Sequence, residues 1–475
     1  MEPSAFNVQV PLPNGDVFLM NTLTDAQLVV SHDAAGLLVR PDAARASMSR
    51  CQDDELDAWS AFAEFGFLVP DLATEHEALL RQFSAFREDA SQLRITVLTT
   101  LQCNFSCEYC YQGDRGDTSQ PGQSMSLDTA TDVAVWVARQ VDTVRPERLV
   151  LTFFGGEPLL NTTAMYALAG ACQRIARARG IDQRINIITN GLLLSPDIVN
   201  RMLPLGLNGI KVTLDGDRET HDRVRPARGG QGTFDRIIDN IRRVADLTPI
   251  AIGGNFDAAT ANRYPALLEF LERQPFAQRI SKVAFKPIIV PREANATGPA
   301  GIAGLLPMAV ASQGSACMSV AGSGAPNASA CDSCHLADDH MTRLMAETKR
   351  HGFATSDGLH MGPCELYRRH SHTIGPDGAR YACPGFTGHN ALAIGHVSAD
   401  LRAPRRPATS TLDWLAPWRR CGACPFIPVC GGGCAVASHA ELGDMEAPSC
   451  HKRAFESALV SLAEEAASHA DGGVQ

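Results

Sequence analysis

At 475 residues the chain exceeds one ordinary domain, so two or three units are expected, one of them large. Apolar residues at 45% and charged residues at 20% fit a soluble globular enzyme. A formal net charge of −10 argues against a nucleic-acid or anionic-membrane partner, although a local basic groove is compatible with it.

The start, "MEPSAFNVQV", lacks a basic segment followed by an apolar core, so no signal peptide is expected. No apolar run approaches the ~20 residues of a membrane helix, and a cytoplasmic location follows as an expectation. Residues 1–90 read as a first unit. "NVQVPLPNGDVFLMNT" reads as two strands around an Asn-Gly turn, and "DDELDAWSAFAEFGFLV" as an amphipathic helix with an apolar end. Strands followed by helices suggest a small winged-helix-like module.

From residue 91 to 295 the pattern becomes a regular alternation of strand and helix, which implies parallel strands with crossover helices. The strands are "LRITVLTT", "RLVLTFF", "RINIIT", "GIKVTL", "PIAIGGN" and "KVAFKPIIV". Six such units predict an α/β fold built on a partial (β/α)6 TIM-type barrel, with its chemistry at the C-terminal ends of the strands. Residues 296–363 read as an insertion or linker, Gly-, Ala- and Ser-rich over 296–330. Residues 364–475 form a cysteine-dense tail ending in the frayed "EEAASHADGGVQ".

Fifteen cysteines is a high and odd count, whereas a disulfide scaffold predicts an even one in a short secreted chain. Ten thiols cluster in tight spacings and read as metal ligands; Cys51 and Cys172 stand alone, and Cys172 in "MYALAGACQRIARA" reads as a small core residue. "LQCNFSCEYCYQ" (101–112) places Cys103, Cys107 and Cys110 directly after the first strand with no fourth thiol beside them. Three thiolates on one loop can hold three irons of a cubane and leave the fourth iron open; zinc would need a fourth protein ligand from elsewhere.

Cys-x3-Cys-x2-Cys with an aromatic, Tyr109, before the third cysteine resembles the radical S-adenosylmethionine enzymes. That resemblance implies a [4Fe-4S] cluster whose open iron chelates S-adenosylmethionine, cleavage to a 5′-deoxyadenosyl radical, and an electron donor such as flavodoxin or ferredoxin. It also assigns cofactor-binding roles. "FFGGEPLL" after the second strand resembles the family's GGE segment through Gly155, Gly156 and Glu157, where side-chain-free residues let carbonyls approach the ligand ammonium. "ITNG" offers Thr189 and Asn190, and "VTLDG" offers Thr213 and Asp215. "HDRVRPARGGQGTFDRI" resembles the stretch in which an arginine meets the ligand carboxylate, and points to Arg225; Asn255 is the candidate on the ribose side.

In the tail, Cys364, Gly378 and Cys383 are followed by "CGACPFIPVCGGGC", giving Cys421, Cys424, Cys430 and Cys434, and then by Cys450. A zinc ribbon is the alternative for the four-cysteine run. The full seven-cysteine pattern resembles the SPASM extension and implies two auxiliary iron–sulfur clusters: Cys364, Cys383 and Cys434 on the first, Cys421, Cys424, Cys430 and Cys450 on the second. Two closed cubanes need eight ligands and the tail offers seven. Either the first cluster has an open iron or another donor reaches it: His370 and His372 are nearby, and "CDSCH" brings Cys331 and Cys334 upstream, with Cys317 further off, although that Cys-x2-Cys pair is equally suited to another metal or to redox activity.

The resemblance implies a peptide or protein maturase that abstracts hydrogen from a substrate carbon and ends in an oxidative cross-link. Residues 1–90 would either grip a leader peptide or act as a structural cap. Two alternatives stand beside this reading. One is an anaerobic sulfatase (formylglycine) maturase, although Pro384 occupies the place where that family carries an aspartate after the second SPASM cysteine. The other is a non-catalytic metal-cluster scaffold that binds a peptide. The substrate, the catalytic acid or base and the oligomeric state are not legible.

Overall fold

A computed structural model describes residues 1–39, 53–110, 124–288, 332–356, 358–359, 362–402 and 415–471. The expected insertion at 296–330, with Cys317, and Cys331 beside it, lies outside these residues. Cys334 enters only as helical backbone.

The first unit opens with β1 (Glu2–Pro3), then a meander of β2 (Asn7–Pro11), β3 (Val17–Asn21) and β4 (Ala26–Val30). The predicted hairpin is present, and Gly15 in its turn sits at φ +92°, a conformation that Asn-Gly turns supply. After α1 (His32–Val39) and α2 (Asp53–Glu64), β5 (Leu68–Val69) pairs back with β1, and α3 (Leu72–Glu88) leads out. Alternation buries β3 on both faces. Val17 and Leu19 pack on Trp59 and Phe62, while Phe18 and Met20 pack on Leu359 and, in the tail, on Phe426, Val429 and Phe455.

The centre of the molecule is one open nine-stranded sheet. Six neighbouring parallel strands follow chain order: β6 (Gln92–Thr100), β7 (Arg148–Gly155), β8 (Asp182–Thr189), β9 (Leu207–Thr213), β10 (Ile250–Phe256) and β11 (Ile280–Pro287). Crossover helices α4 (Leu127–Val144), α5 (Thr162–Arg179), α6 (Pro196–Met202), α7 (Arg218–Val224), α8 (Phe234–Val244) and α9 (Tyr264–Glu272) pack on one face. Four of their starts are capped: Ser126, Asn161, Ser195 and Asp217 each accept a backbone N–H of the first turn. Residues facing the helices are fully buried, such as Leu149, Leu151 and Phe153 on β7, and Cys172 on α5 joins this core. Alternate residues face an open side that stays partly accessible, among them Thr152, Asn186 and Lys211.

After α10 (Asp332–Arg350), the tail continues the same sheet. β12 (Ser371–Ile374) adds in parallel to β6, and β13 (Ala379–Tyr381) and β14 (Gly395–His396) follow antiparallel. Short helix α11 (Val397–Arg402) follows, then α12 (Ala416–Cys421), α13 (Ile427–Cys430) and α14 (Ala435–Leu442), which carry the four-cysteine run, and α15 (Lys452–Asp471). No helix of the described residues is long and apolar enough to cross a membrane.

Candidate active site

Cys103, Cys107 and Cys110 lie on the loop leaving β6, and all three thiols are free and half-buried. The loop is anchored from both sides. Arg228 donates from Nε to the Cys103 carbonyl at 2.6 Å and from its backbone N–H to the Asn104 carbonyl at 3.0 Å. Ser106 N–H reaches the Pro226 carbonyl at 3.0 Å, so residues 104–106 run beside 226–228. Burial pushes the Cys103 thiol up to about 12 and raises Cys107 as well. Among the described residues, no three His, Cys, Asp or Glu side chains converge tightly enough to chelate a single metal ion. The thiolates of a cubane each bind a different iron and stand farther apart than ligands of one ion.

Gly155 and Gly156 press against this loop from the end of β7. A Cβ on Gly155, at φ +141°, would stand 2.2 Å from the Thr100 carbonyl oxygen, and one on Gly156 would stand 2.1 Å from that of Gln102. Only glycine permits this approach. Glu157 is wholly buried; its oxygens accept from Leu159 N–H (3.0 Å), Thr189 Oγ1 (2.7 Å) and Asn190 N–H (2.8 Å). Burial nevertheless raises its pKa. Three of about four lone-pair sites are therefore occupied within the protein. Asn190 also donates to Asn104 Oδ1 at 2.7 Å, tying the end of β8 to the cysteine loop.

The ends of β9 and β10 complete the arrangement. Asp215 is fully buried and accepts from the Tyr109 hydroxyl, from Asn255 N–H at 2.7 Å and from Arg225 Nη1 at 3.4 Å. Arg225 also donates to the Tyr109 oxygen and lies over the Phe105 ring at 5.5 Å. It is 9% exposed, and its Nε is buried without a hydrogen-bond partner. Burial opposes its charge, but Tyr109, Cys107 and Asp215 outweigh burial and raise its pKa. Behind it, Asp215 N–H donates to His221 Nδ1 at 3.1 Å, which places the imidazole proton on Nε2, facing Thr233 Oγ1 at 3.1 Å. The Thr233 hydroxyl then donates to the Arg225 carbonyl at 3.0 Å. Burial holds His221 neutral by lowering its pKa well below 6.5.

The structure thus gathers Gly155, Gly156, Glu157, Thr189, Asn190, Arg225 and Asn255 around the Cys103 loop, with Thr213 one residue before the buried Leu214–Asp215 pair. Sequence reasoning missed Arg228, His221, Thr233 and Tyr264, whose hydroxyl donates to the Asn255 carbonyl at 2.6 Å. The stretch "HDRVRPARGGQGTF" contained three of them without distinguishing them from its other polar residues.

Comparison with known proteins converges on the same segment. Residues 97–254 match the model of the Radical SAM superfamily. These residues form a radical SAM domain. Over 190 residues the chain is 26% identical to the Fe-coproporphyrin III synthase of Methanosarcina barkeri, covering 39% of this chain and 41% of that protein. Over 168 residues it is 26% identical to the serine-type anaerobic sulfatase-maturating enzyme of Bacteroides thetaiotaomicron, covering 33% of this chain and 38% of that protein. The chain thus spans about two fifths of the length of these curated relatives. The solved structure of native anSMEcpe with bound AdoMet shares the fold, with a TM-score of 0.55, 14% identity, and coverage of 78% of this chain and 99% of that one.

The tail thiols fall into two groups. Cys364 and Cys383 each sense Cys434, whereas Cys421 senses Cys430, Cys424 and Cys450. The Gly431–Gly432–Gly433 run separates neighbouring cysteines into different groups: all three residues have positive φ, between +62° and +90°, and reverse the chain between Cys430 and Cys434. His372 is buried on the helix side of the sheet, edge-on to Trp136 at 5.1 Å. That packing sets it in the α4 interface as a core side chain.

Proposed function

We propose that the chain is a radical S-adenosylmethionine maturase acting on a peptide or protein substrate. The observation that carries this reading is the meeting of the Cys103–Cys107–Cys110 loop, the Gly155–Gly156 approach and the buried Arg225 at one end of the sheet. The residues present fit the cofactors: three free thiols on one anchored loop suit a [4Fe-4S] cluster with an open iron. The unpartnered Arg225 Nε suits a carboxylate, and the glycines let the end of β7 close on the cysteine loop. When bound, these groups would supply a 5′-deoxyadenosyl radical that takes hydrogen from a substrate carbon.

The protein's own part is positioning. Arg225 is held by Tyr109, Asp215 and the His221–Thr233 relay; Asn255 and Thr213 border the same space; burial of Glu157 and Asp215 keeps water out of the strand ends. The two tail groups, Cys364–Cys383–Cys434 and Cys421–Cys424–Cys430–Cys450, are proposed as auxiliary iron–sulfur sites of a SPASM-type region. A peptide substrate is favoured because the fold resembles that of anSMEcpe over 79% of this chain, and that protein has been solved with AdoMet and a peptide. A formylglycine outcome is less well supported: Pro384, at the start of the turn capped by Cys383, offers no acid or base.

The edge of β4, unpaired with any strand among the described residues, is the proposed place for a leader peptide to add as a strand. Anaerobic incubation of reconstituted protein with dithionite and S-adenosylmethionine tests the enzymatic reading. Formation of 5′-deoxyadenosine is expected; its absence contradicts the proposal.

A further inference from the structure

The open face of the sheet carries a row of cations that the cofactor site does not use. Lys211 lies on β9 two residues before Thr213, flanked by Ile188 on β8 and Ala251 on β10. Its side chain crosses β10: a Cβ on Gly253 would stand 2.3 Å from Lys211 Cε and 3.1 Å from Nζ. A glycine is what leaves that passage open. Beyond it, β11 presents Lys282 opposite Ala251 and Lys286 opposite Asn255.

No described residue forms an ion pair or hydrogen bond with any of these three side chains. Burial, then Lys286 and Lys282, draws Lys211 down to about 8. Lys286 also favours the thiolates of Cys364 and Cys383. The row therefore runs from Thr213 and Asn255, at the cofactor end, to the first thiol group of the tail. Like charges on one face repel, and an anion placed among them relieves that repulsion while gaining charge-assisted hydrogen bonds.

We propose that Lys211, laid across Gly253 beside Lys282 and Lys286, binds a carboxylate of the substrate between the cofactor site and the Cys364–Cys383–Cys434 thiols. The inference rests on the maturase reading for the position of the reacting carbon, whereas the anion site stands on the lysines alone. An acidic side chain and a chain-terminal carboxylate share this chemistry. Either would fix the substrate at one point and set which carbon faces the radical.

The test uses full-length protein, reconstituted anaerobically, and three probes: N-acetylglutamate α-amide, N-acetylglutamine α-amide and N-acetylglutamine with a free α-carboxylate. Acetylation of Lys211 by N-hydroxysuccinimidyl acetate is followed by mass spectrometry. A carboxylate probe should slow it roughly tenfold, the worth of a charged hydrogen bond, and the neutral probe should not. Which carboxylate protects identifies the source. Gly253→Ala retains all three charges but displaces Lys211, and should abolish the protection. Equal protection by neutral and anionic probes, or none by any, overturns the proposal. So does a Lys211→Gln variant that alters the electron paramagnetic resonance of the reduced protein while carboxylate still shields Lys286, since the lysines then serve the tail thiols. Substrate-free 5′-deoxyadenosine formation in the same preparation keeps this failure distinct from failure of the maturase reading.

Discussion

Gly156 is the residue on which the site's geometry turns most sharply. Gly156→Ala would drive a methyl into the carbonyls of Gln102 at 2.1 Å and Leu101 at 2.6 Å, and the cysteine loop must move to admit it. A displacement of about 1 Å at a reacting centre costs on the order of 100-fold in rate, so 5′-deoxyadenosine formation should fall by about that factor while the fold persists by circular dichroism. His372 makes a separate prediction. Burial lowers its pKa to about 3, against ~6.5 in an unfolded chain. Between those values the unfolded state binds a proton that the folded state refuses, so stability declines as pH falls below 6.5. The loss reaches about 2 kcal/mol near pH 5 by linkage. His372→Phe, which keeps the contact with Trp136, should flatten the fall of Tm between pH 7 and 5; His221, also held neutral, leaves a residual slope. The cysteines and the two glycines of the site were legible because their chemistry survives in bare spacing. Arg228, His221 and Thr233 were not: each acts through a hydrogen bond to a backbone or side chain that only folding brings near.

At the scale of elements, the six parallel strands were legible because each carries apolar residues in a short run and the first five lead into a crossover helix. β12 was not. "SHTI" is four residues long, is polar at its start and takes its place only by pairing with β6. The N-terminal hairpin was visible in its Asn-Gly turn, yet its packing partner was not legible: Phe18 and Met20 pack on the tail through Phe426 and Phe455. Phe18→Ala therefore removes a fully buried ring from the joint between the two ends of the chain, at a cost of about 3–5 kcal/mol. Hydrogen exchange should quicken in β2, β3 and α15 together and remain slow in β6–β8. Quickening confined to β2 and β3 would contradict this packing. The same joint means that removing residues 1–85 strips cover from Phe426 and Phe455, so the truncated chain is expected to aggregate.

In the whole molecule, one sheet joins the two kinds of cysteine. The Cys103 loop sits at the end of β6, β12 of the tail lies against β6 on its other edge, and the charge of Lys286 on β11 favours the Cys364 and Cys383 thiolates. The radical SAM domain and the cysteine-dense tail are thereby fixed relative to each other by backbone hydrogen bonds. Such rigidity suits chemistry in which one hydrogen must face one radical. The most direct test replaces Cys103, Cys107 and Cys110 together with alanine in the full-length reconstituted protein. Iron should fall by about four per chain, one cubane, with the tail's share retained, and 5′-deoxyadenosine formation should be abolished. Cofactor cleavage that survives the triple replacement would contradict the account.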